Sequence, residues 1–118
     1  MCLDFSKRLI SLKQVLLIKT TYLISSKELV NRALKEINTI TSDEAYLRIT
    51  ENKSNLIDIR DVRELQKEGR VKEAIHIPRG MLEFWLDPES TYFKEGKLNL
   101  SKEIILFCAG GLRSALAA

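Results

Sequence analysis

IILFCAGGLRSALAA, residues 104–118, decides how this chain is read. Glu103 to Phe107 is a short, nearly continuous apolar run, the pattern of a strand buried on both faces. Cys108-Ala109-Gly110-Gly111 reads as a turn, and Leu112 to Ala118 as the start of a helix. A residue between such a strand and its helix lies beyond the carboxyl end of the sheet, where α/β proteins bind their ligands. The thiolate, not the thiol, is the nucleophile. At a strand-to-helix turn it meets unpaired backbone N–H groups and the positive end of the helix. Gly110 and Gly111 let the backbone curl so that several N–H groups converge on one anion. Arg113 keeps its charge and can fork two oxygens of an oxyanion. No acidic side chain follows Glu103. Together these features predict a nucleophilic Cys108 of lowered pKa. Its binding loop is Ala109, Gly110, Gly111, Leu112, Arg113 and Ser114, with Ser114 lining the loop rather than attacking. A free cysteine is often only a small buried hydrophobe; the glycine pair, arginine and serine that follow argue against that here.

Upstream, strands and helices alternate. Ser25 and Glu28 have capping-box spacing, and Leu29, Val30, Ala33, Leu34 and Ile37 recur at helical spacing, so a helix is expected over 26–37. Asn38-Thr39-Ile40 reads as a short strand. Thr41 and Glu44 repeat the capping pattern and open a helix to about Asn52. Leu56 to Arg60 is an apolar run read as a buried strand. Asp61 and Glu64 open a short helix that Gly69 ends. Ala74 to Pro78 is a strand stopped by its proline. Met81, Leu82, Trp85 and Leu86 share one face of a helix that Pro88 terminates, with Phe84 and Trp85 expected in the core. Residues 89–100 are expected to be loop with a helical turn. Alternating elements imply an α/β fold with a mostly parallel sheet covered on both faces.

The 118 residues suit one domain. A hydrophobic share of 45% and a charged share of 30% are ordinary for a globular protein. The net charge of +3 is uneven: residues 1–27 hold Lys7, Arg8, Lys13, Lys19 and Lys27 against Asp4 alone. The rest is close to balanced, which disfavours nucleic acid as a partner. Residues 1–24 show no clear period and are read as a leader, with the domain proper at 25–118. The longest apolar run of the leader, Val15 to Ile18, is broken by Lys19, too short for a signal core or a membrane span. Two distant cysteines, Cys2 and Cys108, make no disulfide framework, and one histidine with no CxxC gives no metal spacing. The chain is therefore expected in the cytoplasm, with Cys108 free and no metal bound.

Three stretches then line up with a known family. LIDIRDVRELQKEG (56–69), AIHIPRGMLEF (74–84) and ILFCAGGLRSALAA (105–118) resemble the rhodanese-like sulfurtransferases in order, spacing and character. The resemblance covers residues 40–118 and implies a three-layer α/β/α fold. It implies a double displacement through a Cys108 persulfide and no cofactor. The implied donor is a small sulfur-bearing anion such as thiosulfate, or another persulfide. The implied acceptor is a thiol or a thioredoxin-like protein, with cyanide serving in an assay. Asp58 and Arg60 match the family's Asp-x-Arg and are expected to form a structural ion pair. His76 matches a structural strand residue, and Arg79 is a candidate for the site mouth. Cys108 to Arg113 is a loop of six residues. Sulfur-transferring members have six, whereas the dual-specificity phosphatases of the same fold have seven, because a phosphoryl group is larger than a sulfur atom.

The chain departs from the family in three places. Glu73 stands where a glycine usually precedes Ala74. Leu112 is an apolar loop tip where many members are polar, which favours a protein acceptor over small anions. The sequence ends at Ala118, inside the helix after the loop, so the last helix and a final strand are expected to be incomplete and the isolated chain loosely packed. Two competing functions follow from the same residues: a non-catalytic partner-binding or redox-sensing module, and a phosphatase or arsenate reductase.

Overall fold

The computed structural model describes residues 23–93 and 97–118. Its centre is an open sheet of three parallel strands, β1 (Ser54–Asp58), β2 (Ile75–His76) and β3 (Glu103–Phe107), in the order β2-β1-β3. Ile57 lies opposite both Ile75 and Leu106, and Asp58 opposite both His76 and Phe107. That register makes an apolar cross-strand row of Ile75, Ile57 and Leu106. Ile57 and Ile77 are fully shielded from solvent and Ile59 nearly so. With Leu82 and Leu98 they form the core, flanked by Met81, Trp85 and Leu86. Truncating any one of these isoleucines to alanine costs about 2–5 kcal/mol by lost transfer energy and the cavity left behind.

Among the described residues five helices accompany the sheet: α1 (Ser26–Glu36), α2 (Ser42–Thr50), α3 (Val62–Glu68), α4 (Leu82–Leu86) and α5 (Leu112–Ala117). A 3-10 turn, Arg79–Met81, leads into α4. The caps foreseen in the sequence are present. Ser25 Oγ accepts the Glu28 N–H (3.2 Å) and Thr41 Oγ1 accepts the Glu44 N–H (3.1 Å). At α3 the Asp61 carboxylate accepts the Arg63 N–H (2.9 Å), while the Glu64 carboxylate accepts the Asp61 N–H (3.0 Å). Gly69 closes α3 at φ 90°, a left-handed angle that glycine adopts without a Cβ penalty.

Boundaries moved where polar side chains settle backbone groups. β1 begins at Ser54 rather than Leu56, because Ser54 and Asn55 satisfy their side chains across the sheet. Ser54 Oγ donates to Glu103 (2.7 Å), and Asn55 donates to the Asn99 carbonyl (2.8 Å). It ends at Asp58 rather than Arg60, because the Asp58 carboxylate captures the Arg60 N–H (3.0 Å) and turns the chain. β2 is only Ile75–His76: the Ala74 N–H is spent in a turn to the Val71 carbonyl, and Pro78 has no N–H to give. Asn52, at φ 60°, closes the chain after α2. The expected strand at Asn38–Ile40 does not form. Those residues and Ile104 to Phe107 line one cleft, so a gap replaces the hydrogen bonds that a strand requires. Phe84 is exposed and stacks edge-on with Tyr92 instead of entering the core, while Trp85 packs against it. Cys2 and most of the proposed leader lie outside the described residues. Among the described residues, no helix is long and apolar enough to cross a membrane.

Candidate active site

Because neighbouring strands run parallel, their carboxyl ends gather at one edge. The ladder continues there: Ile59 N–H to Phe107 O (3.1 Å), Ile77 N–H to Asp58 O (3.0 Å), Arg79 N–H to Ile59 O (3.2 Å). Cys108 follows β3 directly at this edge, half-buried and free. Gly111 adopts φ 82°, ψ −9°, the left-handed conformation that swings the chain from strand to helix. Its N–H donates to Cys108 Sγ at 3.1 Å. Ser114 Oγ stands 3.5 Å from the sulfur and also 3.2 Å from the Gly111 carbonyl, so one hydroxyl proton has two acceptors in reach.

These contacts set the acidity of the thiol. Burial is the largest influence and opposes ionisation. The Ser114 hydroxyl and the N–H groups of Ser114, Gly110 and Gly111 outweigh it and bring Cys108 down to about 7. At neutral pH a large share of Cys108 is therefore thiolate. The Ser114 hydroxyl is the largest of the lowering influences, with the backbone N–H groups behind it, where the sequence pointed equally to Arg113.

Arg113 has a partner that sequence reasoning missed. Its Nη1 and Nη2 donate to the two carboxylate oxygens of Glu64 at 2.6 and 2.8 Å. The guanidinium is held by Glu64 first and interacts with Cys108 second. The same bridge, ahead of the capping bond from Asp61, lowers Glu64 to about 2. Glu64 was legible only as a helix cap. The signal that would have found it is topological: β1 and β3 are parallel neighbours, so the helix that follows β1 meets the loop that follows β3.

The remaining candidate residues fall into place around this pair. Asp58 and Arg60, both buried, form a tight ion pair. Arg60 Nε and Nη2 donate to Asp58 at 3.0–3.1 and 2.7 Å, and Nη2 also donates to the Gly69 carbonyl at 3.0 Å. Arg60 also lies over the Phe107 ring, 5.9 Å from its centroid. His76 Nε2 donates to the Arg60 carbonyl at 2.7 Å, which fixes the proton on Nε2. All three side chains brace the strand ends. Arg79 is exposed and is not among the described residues that line the cleft beside Cys108.

That cleft has a volume of about 1180 Å³ and runs from Cys108 along the outer edge of β3 to α2. Val30, Leu34, Ile49, Leu56, Leu82 and Leu86 give it apolar walls. Arg48 is the one basic side chain among the described residues that line it, and Glu44 and Glu103 already pair with that residue. Glu73 adds a carboxylate to the lining.

A parallel α/β sheet with a cysteine cradled in backbone N–H groups at its carboxyl edge defines a class of thiolate-bearing α/β modules. Within that class, the model of the rhodanese-like domain matches residues 41–118, and the chain belongs to this family. Among solved structures it is similar to a protein of unknown function from Rhodopseudomonas palustris CGA009, described as a possible tyrosine phosphatase. The two are 36% identical with a TM-score of 0.72, and the match covers 85% of this chain and 76% of the other. No curated protein matches the chain significantly.

Proposed function

We propose that this chain is a sulfurtransferase that carries sulfane sulfur on Cys108. The observation that supports the reading most is the loop itself: a sulfur atom of pKa about 7 faces converging N–H groups inside a six-residue turn. In the first half-reaction the Cys108 thiolate attacks the outer sulfur of thiosulfate or a persulfide. The donor S–S bond breaks, and its electron pair leaves on sulfite or a thiolate. The new Cys108 persulfide rests against the N–H groups of Gly110, Gly111 and Ser114. In the second half-reaction a thiol or a thioredoxin-like protein takes the outer sulfur and regenerates the thiolate. Cyanide serves as acceptor in an assay. This chemistry needs no cofactor and a reducing compartment, so we place the protein in the cytoplasm.

The description of the Rhodopseudomonas protein favours phosphatase chemistry as a second reading. A cysteine phosphatase loop must hold three equatorial phosphoryl oxygens in its transition state, with the attacking sulfur and the leaving oxygen in line. Here the loop has six residues and its arginine is already matched by Glu64, which weighs against that reading. Both activities are measured on one preparation. Donor-dependent formation of thiocyanate without turnover of an aryl phosphate supports sulfur transfer. Aryl phosphate turnover that disappears in Cys108→Ser replaces it with the phosphatase. Neither activity, with Cys108 still open to alkylation, replaces it with a non-catalytic binding module.

A further inference from the structure

We infer, on the sulfurtransferase reading, that this site selects weakly charged apolar persulfides over the thiosulfate dianion, and that Glu64 and Leu112 set that preference. Transfer from thiosulfate brings a dianion to a thiolate: Cys108–S⁻ and S–SO₃²⁻ give Cys108–S–S⁻ and SO₃²⁻. Three negative charges share the loop throughout. Transfer from an alkyl hydropersulfide is lighter: Cys108–S⁻ and R–S–SH give Cys108–S–SH and R–S⁻, with the donor S–S bond broken and a single negative charge passed to the leaving thiolate. The sulfane sulfur is neither oxidised nor reduced in either case. A site built for thiosulfate therefore needs uncompensated positive charge near Cys108, and a site built for persulfides does not.

Three guanidiniums at this edge are matched by carboxylates, while Arg79 is exposed and is not among the described residues that line the cleft beside Cys108. Asp58 pairs with Arg60 (2.7 Å), Asp61 with Arg63 (2.8 Å) and Glu64 with Arg113 (2.6 Å). The Glu64 bridge uses one N–H from each terminal nitrogen of Arg113, leaving Nε and the outer N–H groups for a ligand. Arg113 can still orient a sulfur or oxygen, but its charge is offset by a carboxylate in direct contact. Glu64 is thus a positioning residue that trims the field of the loop. The cleft that opens from Cys108 offers no relief: its walls are apolar, Glu73 is acidic, and Arg48 is doubly paired. Leu112, at the loop tip, is 62% exposed and presents an apolar surface where a donor would enter. An uncharged alkyl body loses little by leaving water against such walls, whereas a dianion loses its hydration and gains no matching cation.

The test is the rate at which sulfur is added to Cys108, read by quenching and intact-mass spectrometry, with thiosulfate and with an uncharged alkyl hydropersulfide. Each rate is divided by that of a simple free thiol with the same donor, which removes the intrinsic reactivity of the donors. The full chain is used, with Glu64→Gln and Leu112→Arg as variants. Wild type is expected to favour the hydropersulfide after this correction. Leu112→Arg adds a cation and Glu64→Gln removes an anion. Each is expected to raise the corrected thiosulfate rate relative to the hydropersulfide rate about tenfold at low salt. Leu112→Arg lies on the surface, so it keeps the test decisive if Glu64→Gln disturbs the start of α3. A corrected thiosulfate rate equal to that of the hydropersulfide, unmoved by Leu112→Arg, overturns the charge argument and leaves sulfur transfer standing. No sulfur on Cys108 from either donor overturns the sulfurtransferase reading itself.

Discussion

Two of the arginine–carboxylate pairs at the carboxyl edge of the sheet, Asp58–Arg60 and Glu64–Arg113, differ in almost everything except chemistry. Asp58–Arg60 is local, two residues apart, with side chains only 2% and 9% exposed. Glu64–Arg113 joins residues 49 apart, with side chains 28% and 39% exposed. The first closes on the protein itself: Arg60 Nη2 also donates to the Gly69 carbonyl, and Nη1 lies 3.7 Å from the Glu68 carboxylate. The second faces a half-buried thiolate and keeps donors free. A buried charge pair rarely adds net stability over apolar packing, yet breaking it is expensive, because the surviving charge has no water. An open pair is cheap to break, and its value lies in what it does to the field around Cys108. One pair holds the frame, and the other tunes the site.

That contrast fixes the order of the expected effects. The largest is at Asp58. Asp58→Ala leaves Arg60 charged and nearly unhydrated, and is expected to lower stability by about 3–5 kcal/mol in urea denaturation. A loss below about 1 kcal/mol would mean that water reaches Arg60 and that the two pairs are alike. Next is the thiol. The alkylation rate of Cys108 should rise with pH and level off above about 7. In Ser114→Ala the inflection should move up toward about 8.5, the ordinary cysteine value, slowing alkylation at pH 6.5 by roughly tenfold per unit moved. An unmoved inflection would leave the backbone N–H groups as the whole cause.

Smaller still is the acid response of the open pair. Glu64 is lowered to about 2 by Arg113, so its contribution to stability is present above the ordinary carboxylate value. That contribution is lost as pH falls through the folded value. The melting temperature of wild type should therefore fall more steeply between pH 5 and pH 2 than that of Glu64→Gln, by differential thermal melts. Parallel curves would mean that the bridge is absent in solution. The smallest effect is at Leu112: Leu112→Ala should shift stability by no more than about 0.5 kcal/mol, since the side chain is largely in water already.

The same contrast shows what a sequence can reveal. Asp58–Arg60 was expected because it matches the Asp-x-Arg of the family it resembles, and the Cys108 loop was legible directly, since strand, turn and helix follow one another within sixteen residues. The helix caps at Ser25, Thr41 and Asp61 were legible for the same reason, each being a contact across two or three residues. Glu64–Arg113 was not, because it depends on β1 and β3 being parallel neighbours, which no local pattern encodes. Asn38–Ile40 failed in the opposite way. Its residues are compatible with a strand, but extended backbone becomes a strand only beside a partner, and a cleft lies where the partner would be. Apolar runs also misplaced the start of β1, because Ser54 and Asn55 earn their places through hydrogen bonds to Glu103 and Asn99 rather than through hydrophobicity.

The most direct test of the central claim is to incubate the chain with an alkyl hydropersulfide and map the added sulfur by peptide mass spectrometry, in wild type and in Cys108→Ser. One extra sulfur atom on the peptide that contains Cys108, absent in the variant, is the predicted result. Unmodified Cys108 in a sample whose thiol still reacts with iodoacetamide would contradict it.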